Sequence, residues 1–218
     1  MPFALLLAAA LAGGFRDPPA DARMSMYWIW FGPSVTGREI DRDLANMRQA
    51  HIGGAVLLPV YPLDVEGNSD YLSPRFLDAL KHAAEQAKRE GQVFDVTIGT
   101  GWPYGGPWLA PELAARRIVL RSASQAPGAG EQVVATFGEQ QVVSVPTRMM
   151  VKRASAGAEG LVLDHYNAKA LQLHLDEAGE KLWRAVGPAG IRSFWCDSLE
   201  VFAANWTPEF PRHFERLR

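Results

Sequence analysis

Cysteine is nearly missing from this chain of 218 residues, where Cys196 stands alone. That excludes an internal disulfide framework and any cysteine-rich zinc site, and it leaves the compartment open. Charge of one sign is missing too. Lys and Arg number 22 against 24 Asp and Glu, a formal net charge of -2, and the basic residues are scattered. Nothing here invites nucleic acid, whose binding is driven by clustered cations. No membrane span is expected, because the apolar run near the N-terminus is too short to cross a bilayer. Gly99-Thr100-Gly101-Trp102-Pro103 lacks the spacing of a phosphate cradle, and proline blocks the helix that a dinucleotide needs. Nor does any serine sit in a nucleophile elbow. What remains is an ordinary globular composition, 48% apolar and 21% charged, with enough chain for one sizeable core or two small ones.

Residues 1–14 are expected to be a signal peptide. Residues 2–12 are apolar and Ala10-Leu11-Ala12 has the small-x-small form of a cleavage site, although a basic n-region is lacking and a buried helix is the competing reading. A secreted or periplasmic location follows from the first reading. The polar, proline-bearing stretch 15–25 is expected to be an extended surface lead-in.

From residue 26 the pattern alternates. The aromatic and β-branched run 26–31 reads as a buried strand, and Thr36-Gly37-Arg38-Glu39 as a capping box opening a helix whose Ile40, Leu44 and Met47 share a face. A nearly continuous apolar run, 55–61, has the form of a parallel strand buried on both faces. Ser73 and Pro74 start a second helix, with Phe76, Leu77, Leu80, Ala84 and Ala87 inward and Gly91 closing it, before a third strand at 93–99. This βαβαβ order predicts an α/β fold with a parallel sheet and right-handed crossovers. Residues 26–117 are read as three βα units of a (β/α)8 TIM-type barrel and 118–158 as a small antiparallel β insertion after strand 3. Residues 159–218 return to the barrel with a helix capped by Asn167 and carrying Leu171, Leu175 and Leu182, a fourth strand at 191–196, and a last helix opened by Thr207-Pro208. Four βα units are about half of such a barrel, so the chain is expected to be a truncated part of it.

In a barrel the strand C-terminal ends converge on one face, and polar residues just after the strands are the first candidates for chemistry. Those places are Phe31-Gly32, Tyr61-Pro62, Thr100-Gly101-Trp102 and Asp197-Ser198-Leu199-Glu200. The last carries two carboxylates three positions apart, making Glu200 the catalytic candidate against the alternative of a capping or surface acid. Trp102, Tyr104, Trp108 and Trp206 lie in expected loops, where flat rings can stack on sugars, while Trp28, Trp30, Trp183 and Trp195 are expected in the core. His51, His82, His174 and His213 read as surface or capping residues. His165, in Asp164-His165-Tyr166, can line the pocket rim or make a structural hydrogen bond. Asn205-Trp206-Thr207 is formally a glycosylation sequon, as easily a chance one.

Several segments in this order carry a resemblance: Gly14-Phe15-Arg16-Asp17-Pro18-Pro19, Trp30-Phe31-Gly32-Pro33, Ile52-Gly53-Gly54, Gly101-Trp102-Pro103, residues 160–165, and Asp197-Ser198-Leu199-Glu200 followed by Asn205-Trp206-Thr207-Pro208. Together they resemble glycoside hydrolase family 106. The resemblance implies inverting hydrolysis of terminal α-L-rhamnosides from plant polysaccharide or glycosides, a barrel catalytic domain, bound calcium with ligands not located, and later β-rich domains. It makes Glu200 the match for one of two catalytic glutamates, with the second on a later strand in the missing C-terminal half, so that this chain alone is expected to be inactive. Tyr61, Trp102, Asp197, His165 and Trp206 are the expected substrate-binding residues of a carbohydrate site. A non-catalytic carbohydrate-binding homologue is the alternative.

Overall fold

The computed structural model describes residues 12–62, 67–188 and 190–218. Most of the expected signal peptide therefore lies outside the described residues. The lead-in is less extended than its prolines imply: Ala20–Ala22 form a 3-10 turn, and Arg23 folds back onto the Pro18 carbonyl and Asp17.

In chain order the elements are β1 (Ser25–Phe31), α1 (Gly37–Gln49), β2 (Gly54–Val60), α2 (Pro74–Arg89), β3 (Val93–Thr97), β4 (Gly105–Gly106), β5 (Arg116–Ser122), β6 (Gln132–Phe137), β7 (Gln140–Pro146), β8 (Leu161–Val162), α3 (Ala168–His174), α4 (Glu180–Val186), β9 (Ser193–Trp195) and α5 (Phe210–Arg216). A four-stranded sheet runs in the order β1-β2-β3-β9 with every pair parallel. Two antiparallel units accompany it, β4 with β8 and the three-stranded β5-β7-β6.

Local chemistry fixes the helix ends. Thr36 and Glu39 close a reciprocal capping box, the Ser73 hydroxyl accepts from the Phe76 N–H, and Asn167 accepts from the Lys169 and Ala170 N–H groups. Each satisfies donors that a first helical turn leaves unpaired. At the end of α2, Gly91 takes φ +68° while its N–H reaches Lys88 and that of Gln92 reaches Ala87, a Schellman closure that a β-carbon disfavours.

One face of the parallel sheet meets the helices. Trp28, Trp30, Leu57, Phe94 and Val96 pack there with Ile40, Leu44, Phe76, Leu80 and Leu182 in one core, and α2 lies between α1 and α4. Ridge and groove packing of three helices side by side on a sheet buries this apolar set at about 25 cal/mol per Å². The other face is not covered in the same way. Tyr27, Ile29 and Phe31 are each roughly two-fifths exposed, so β1 is buried on one face only, correcting the expectation of a fully buried strand. Across that face Tyr27 stacks on Trp195, with centroids 5.2 Å apart and planes 15° from parallel, although β1 and β9 are the two edges of the sheet. Buried Asp95 of β3 pins β9 in place, bound by Arg192 and by the Ser193 hydroxyl at 2.7 Å.

Five expectations change. Residues 160–166 do not join the parallel sheet; β8 pairs antiparallel with β4 instead, because at Gly105 and Gly160 a β-carbon would overlap the backbone opposite and glycine lets the chains close. Leu171 of the α3 stripe is exposed, while Ala170, His174, Ala178 and Leu182 are buried. Steps of four residues drift by about 40° each on a regular helix, and the π-helical turn Leu175–Gly179 takes up that drift. His174 is accordingly a core residue and not a surface one: its ring N–H donates to the Ile98 carbonyl at 2.9 Å and it stacks on Tyr104. Trp183, expected inside, is 39% exposed. Finally, α5 starts at Phe210 without a side-chain cap; Thr207 is buried three residues earlier.

Candidate active site

The C-terminal ends of the four parallel strands lie together, and four segments meet over them. Gly32 donates to the carbonyls of Val60 and Tyr61, and the rings of Phe31 and Tyr61 sit 5.7 Å apart. Gly101 donates to the Pro59 carbonyl, and Trp102 then pairs antiparallel with Lys152. Gly101 has φ +59°, and a β-carbon there would overlap the Lys152 carbonyl, so glycine is what allows these two segments to touch. The segment 196–204 follows β9 and completes the rim.

Glu200 faces this junction. The Lys152 ammonium donates to Glu200 Oε2 at 2.7 Å and lies 4.5 Å over the Phe202 ring. Lys152 beside it holds the Glu200 carboxyl below the usual carboxylate range, with help from the Ser198 hydroxyl and the Trp102 indole. The indole N–H is buried and turned toward this carboxylate without closing a hydrogen bond of good geometry. Asp197, three residues before, accepts from the Tyr27 hydroxyl at 2.8 Å. Partial burial and this bond to Asp197 push the Tyr27 hydroxyl up to about 12, so Tyr27 remains a donor throughout the ordinary pH range. Tyr61 joins the rim through the next residue of the insertion: its N–H donates to the Arg153 carbonyl at 2.8 Å, and the Arg153 guanidinium lies 5.1 Å over its ring.

The expected site residues thus fall into two groups. Glu200, Asp197, Trp102 and Tyr61 share the strand-end rim. His165 and Trp206 do not; they lie on the far side of the 199–204 segment. His165 lines a cavity of about 280 Å³ with Asp164, Leu199 and Val201, and Trp206 lines one of about 400 Å³ with Tyr166, Thr207 and Phe210. Two other loop aromatics are corrected outright, since Tyr104 and Trp108 turn inward to pack around His174, and the Tyr104 hydroxyl donates to the Trp195 carbonyl. The sequon Asn205 is a structural residue, its side chain accepting from the Ile118 N–H at 2.9 Å.

Sequence reasoning did not find Tyr27, Lys152 or Arg153. Tyr27 stands in mid-strand and Lys152 lies 48 positions before Glu200; only the antiparallel pairing with Trp102 brings it in. Among the described residues no three His, Cys, Asp or Glu come together as a metal-holding group. No helix among them is long and apolar enough to cross a membrane.

Comparison with known proteins agrees with this architecture. A solved rhamnosidase from Novosphingobium sp. PP1Y superimposes with a TM-score of 0.70 at 15% identity, over 94% of this chain and 41% of that one. A Formosa agariphila protein provisionally named a beta-glucuronidase is 36% identical over 110 residues, which are 50% of this chain and 10% of that protein. The chain thus spans less than half the length of either relative. The glycoside hydrolase 106 family, described as alpha-L-rhamnosidase, matches residues 16–150, a stretch that holds Tyr61 and Trp102 and ends before Lys152 and Glu200. With well over half of its residues matched, this chain belongs to glycoside hydrolase family 106, the alpha-L-rhamnosidase family.

Proposed function

We propose that this chain provides the first four βα units of a (β/α) barrel that hydrolyses terminal α-L-rhamnosides by inversion, with Glu200 as one of its two carboxylates. The observation that carries this reading is the position of Glu200: a carboxylate just past the end of a parallel strand, next to a half-buried indole, on the rim where all four strands end. Sequential parallel strands, helices side by side on one face and edge strands close enough for Tyr27 to stack on Trp195 support a sheet curling toward closure.

Inverting hydrolysis needs one acid on the glycosidic oxygen and one base on water, about 6.5–9.5 Å apart. Asp197 is engaged by Tyr27, so the partner of Glu200 comes from outside this cluster, and the isolated chain binds without turning over. Trp102 offers the sugar a ring face, Tyr61 a second ring, and Tyr27 keeps Asp197 fixed. An exported enzyme working on plant polysaccharide or glycosides suits the apolar leader.

The test is hydrolysis of an aryl α-L-rhamnoside by the intact protein that contains this chain. Glu200→Gln is expected to lower kcat by about 10² to 10⁴, the usual contribution of a general acid or base, with little change in KM. Turnover near the unsubstituted level refutes the reading. A carbohydrate-binding homologue without hydrolysis is the second reading, favoured by the ion pair that engages Glu200, and it predicts binding with no release of rhamnose from either form.

A further inference from the structure

Behind the Glu200 rim lies a second constellation. The segment Leu199–Val201 is its partition: Glu200 faces Lys152, while Leu199 and Val201 line the cavity that holds Asp164 and His165. Asp164 is 1% exposed. One of its oxygens accepts from the Tyr166 N–H at 3.0 Å, and the other has no hydrogen-bond partner; neither has either ring nitrogen of His165, nor the buried hydroxyl of Thr207. Burial raises the Asp164 carboxyl above its ordinary value, and the nearby Thr207 hydroxyl offsets this only in part; no bond of good geometry closes between the two.

Unpaired buried polar groups are costly, roughly 1–3 kcal/mol each, and native proteins satisfy nearly all of them. Here four such atoms border two cavities that share Tyr166 as a wall. Aromatic rings stand beside them: Tyr166 is 64% exposed, and the half-buried Trp206 lies 5.3 Å from exposed Phe210. Flat rings on the sides and hydroxyl-seeking groups on the floor are the complement of a pyranose, which presents apolar C–H faces and equatorial hydroxyls. A uronate is disfavoured, because burial lowers the His165 pKa and its ring supplies no positive charge to a carboxylate.

We infer that these two adjoining cavities form a second saccharide site, distinct from the Glu200 rim, which takes a neutral pyranose unit against Tyr166, with Trp206 and Thr207 on one side and Asp164 and His165 on the other. The choice of a sugar over other polar ligands rests on the glycosidase reading above. Asn205 and Trp206 are anchored by their backbones to Arg116 of β5, which holds the Trp206 ring beside Phe210 at the cavity wall.

The test titrates the 218-residue chain with methyl α-L-rhamnopyranoside and with methyl β-D-glucopyranoside, reading saturation transfer to the sugar and the shifts of the tryptophan indole N–H signals. Saturable millimolar binding is expected. It should persist in Glu200→Gln and in Trp102→Ala, which strips the rim of its ring face, and in that Trp102→Ala background it should weaken by about tenfold or more, roughly 1.4 kcal/mol, when Trp206→Ala or His165→Ala is added. Trp206→Ala keeps the backbone pairing, and His165→Ala removes no hydrogen bond seen in the fold, so each variant checks the other. Binding lost in Trp102→Ala or in Glu200→Gln overturns the inference, as does binding undiminished when Trp206→Ala or His165→Ala is added, or no saturable binding by either sugar. Hydrolysis by Glu200→Gln in the intact protein speaks to the rim alone, so the two ideas fail separately.

Discussion

Replacing Gly101 with alanine tests whether the antiparallel contact between residues 101–102 and Lys152 is as close as the structure shows. Gly101 has φ +59°, and a β-carbon placed on it overlaps the Lys152 carbonyl and crowds the backbone of Arg153. The left-handed conformation alone costs about 1–2 kcal/mol for alanine. Separating the strands enough to admit a methyl group also breaks the two bonds of the bridge, Trp102 N–H to Lys152 O at 3.1 Å and Lys152 N–H to Trp102 O at 2.8 Å. Each is worth about 0.5–1.5 kcal/mol. The expected loss is therefore about 2–5 kcal/mol, a urea midpoint shift of about 1–2 M for a slope near the upper end of the small-protein range. Gly91→Ala is the control. Gly91 has a similar φ of +68° with nothing within 4 Å of an added β-carbon, so it should lose only the conformational part, about 1–2 kcal/mol. Equal losses for the two variants refute the claim that Gly101 is required by contact.

The charge state of the rim offers a second check. Lys152→Met should move the titration of Glu200 upward, toward the ordinary carboxylate range, when followed by carboxyl ¹³C NMR against Glu200→Gln for assignment, and Lys152→Arg should keep it low; an unmoved titration in Lys152→Met refutes the pairing. The third concerns buried His174, whose pKa burial lowers despite its bond to Ile98: with fewer protons bound folded than unfolded, stability is full above the unfolded value near 6.5 and falls as the pH drops through the window below it. The urea midpoint should decline on acidification through that window less steeply in His174→Gln than in the unsubstituted chain, and parallel declines refute the assignment.

Periodicity made the parallel layer legible because its rules are local. Ile40, Leu44 and Met47 lie inward, and Thr36, Ser73 and Asn167 cap their helices, since a cap and its partners lie within one turn of chain. The strand-end position of Glu200 was readable for the same reason. What the sequence concealed depends on partners far along the chain. His174 resembled a surface residue because a four-residue spacing over a π-turn mimics no regular helix. Tyr104 and Trp108 looked like sugar platforms, but the β4–β8 pairing folds their loop back over α3, and nothing near residue 104 announces a partner at 161. The split between the Glu200 rim and the His165 groove was invisible for a geometric reason: the Val201 N–H closes a three-residue turn on the Leu199 carbonyl at 2.6 Å, with Glu200 at its tip, so Leu199, Glu200 and Val201 serve two sites from three adjacent positions.

The antiparallel insertion is then more than an appendage to the sheet. It leaves the core after β4 and the 3-10 turn Pro111–Leu113, and it returns with Lys152 held against Trp102 and Arg153 held against Tyr61. Its first strand receives the 205–206 segment, through Arg116 and the Asn205 side chain. Both flanks of the segment 197–204 are therefore fixed, one by Asp197 on Tyr27 of β1 and the other by Asn205 on β5. A loop of this length held only at its strand would sample many conformations, and a carboxylate must stay within about 0.5 Å of its working position to be useful. Ala203, in the left-handed region at φ +58°, shows a non-glycine residue held where it rarely settles unless its surroundings dictate it. The two anchors supply that constraint, which makes the insertion the structural reason that Glu200 has a defined direction at all.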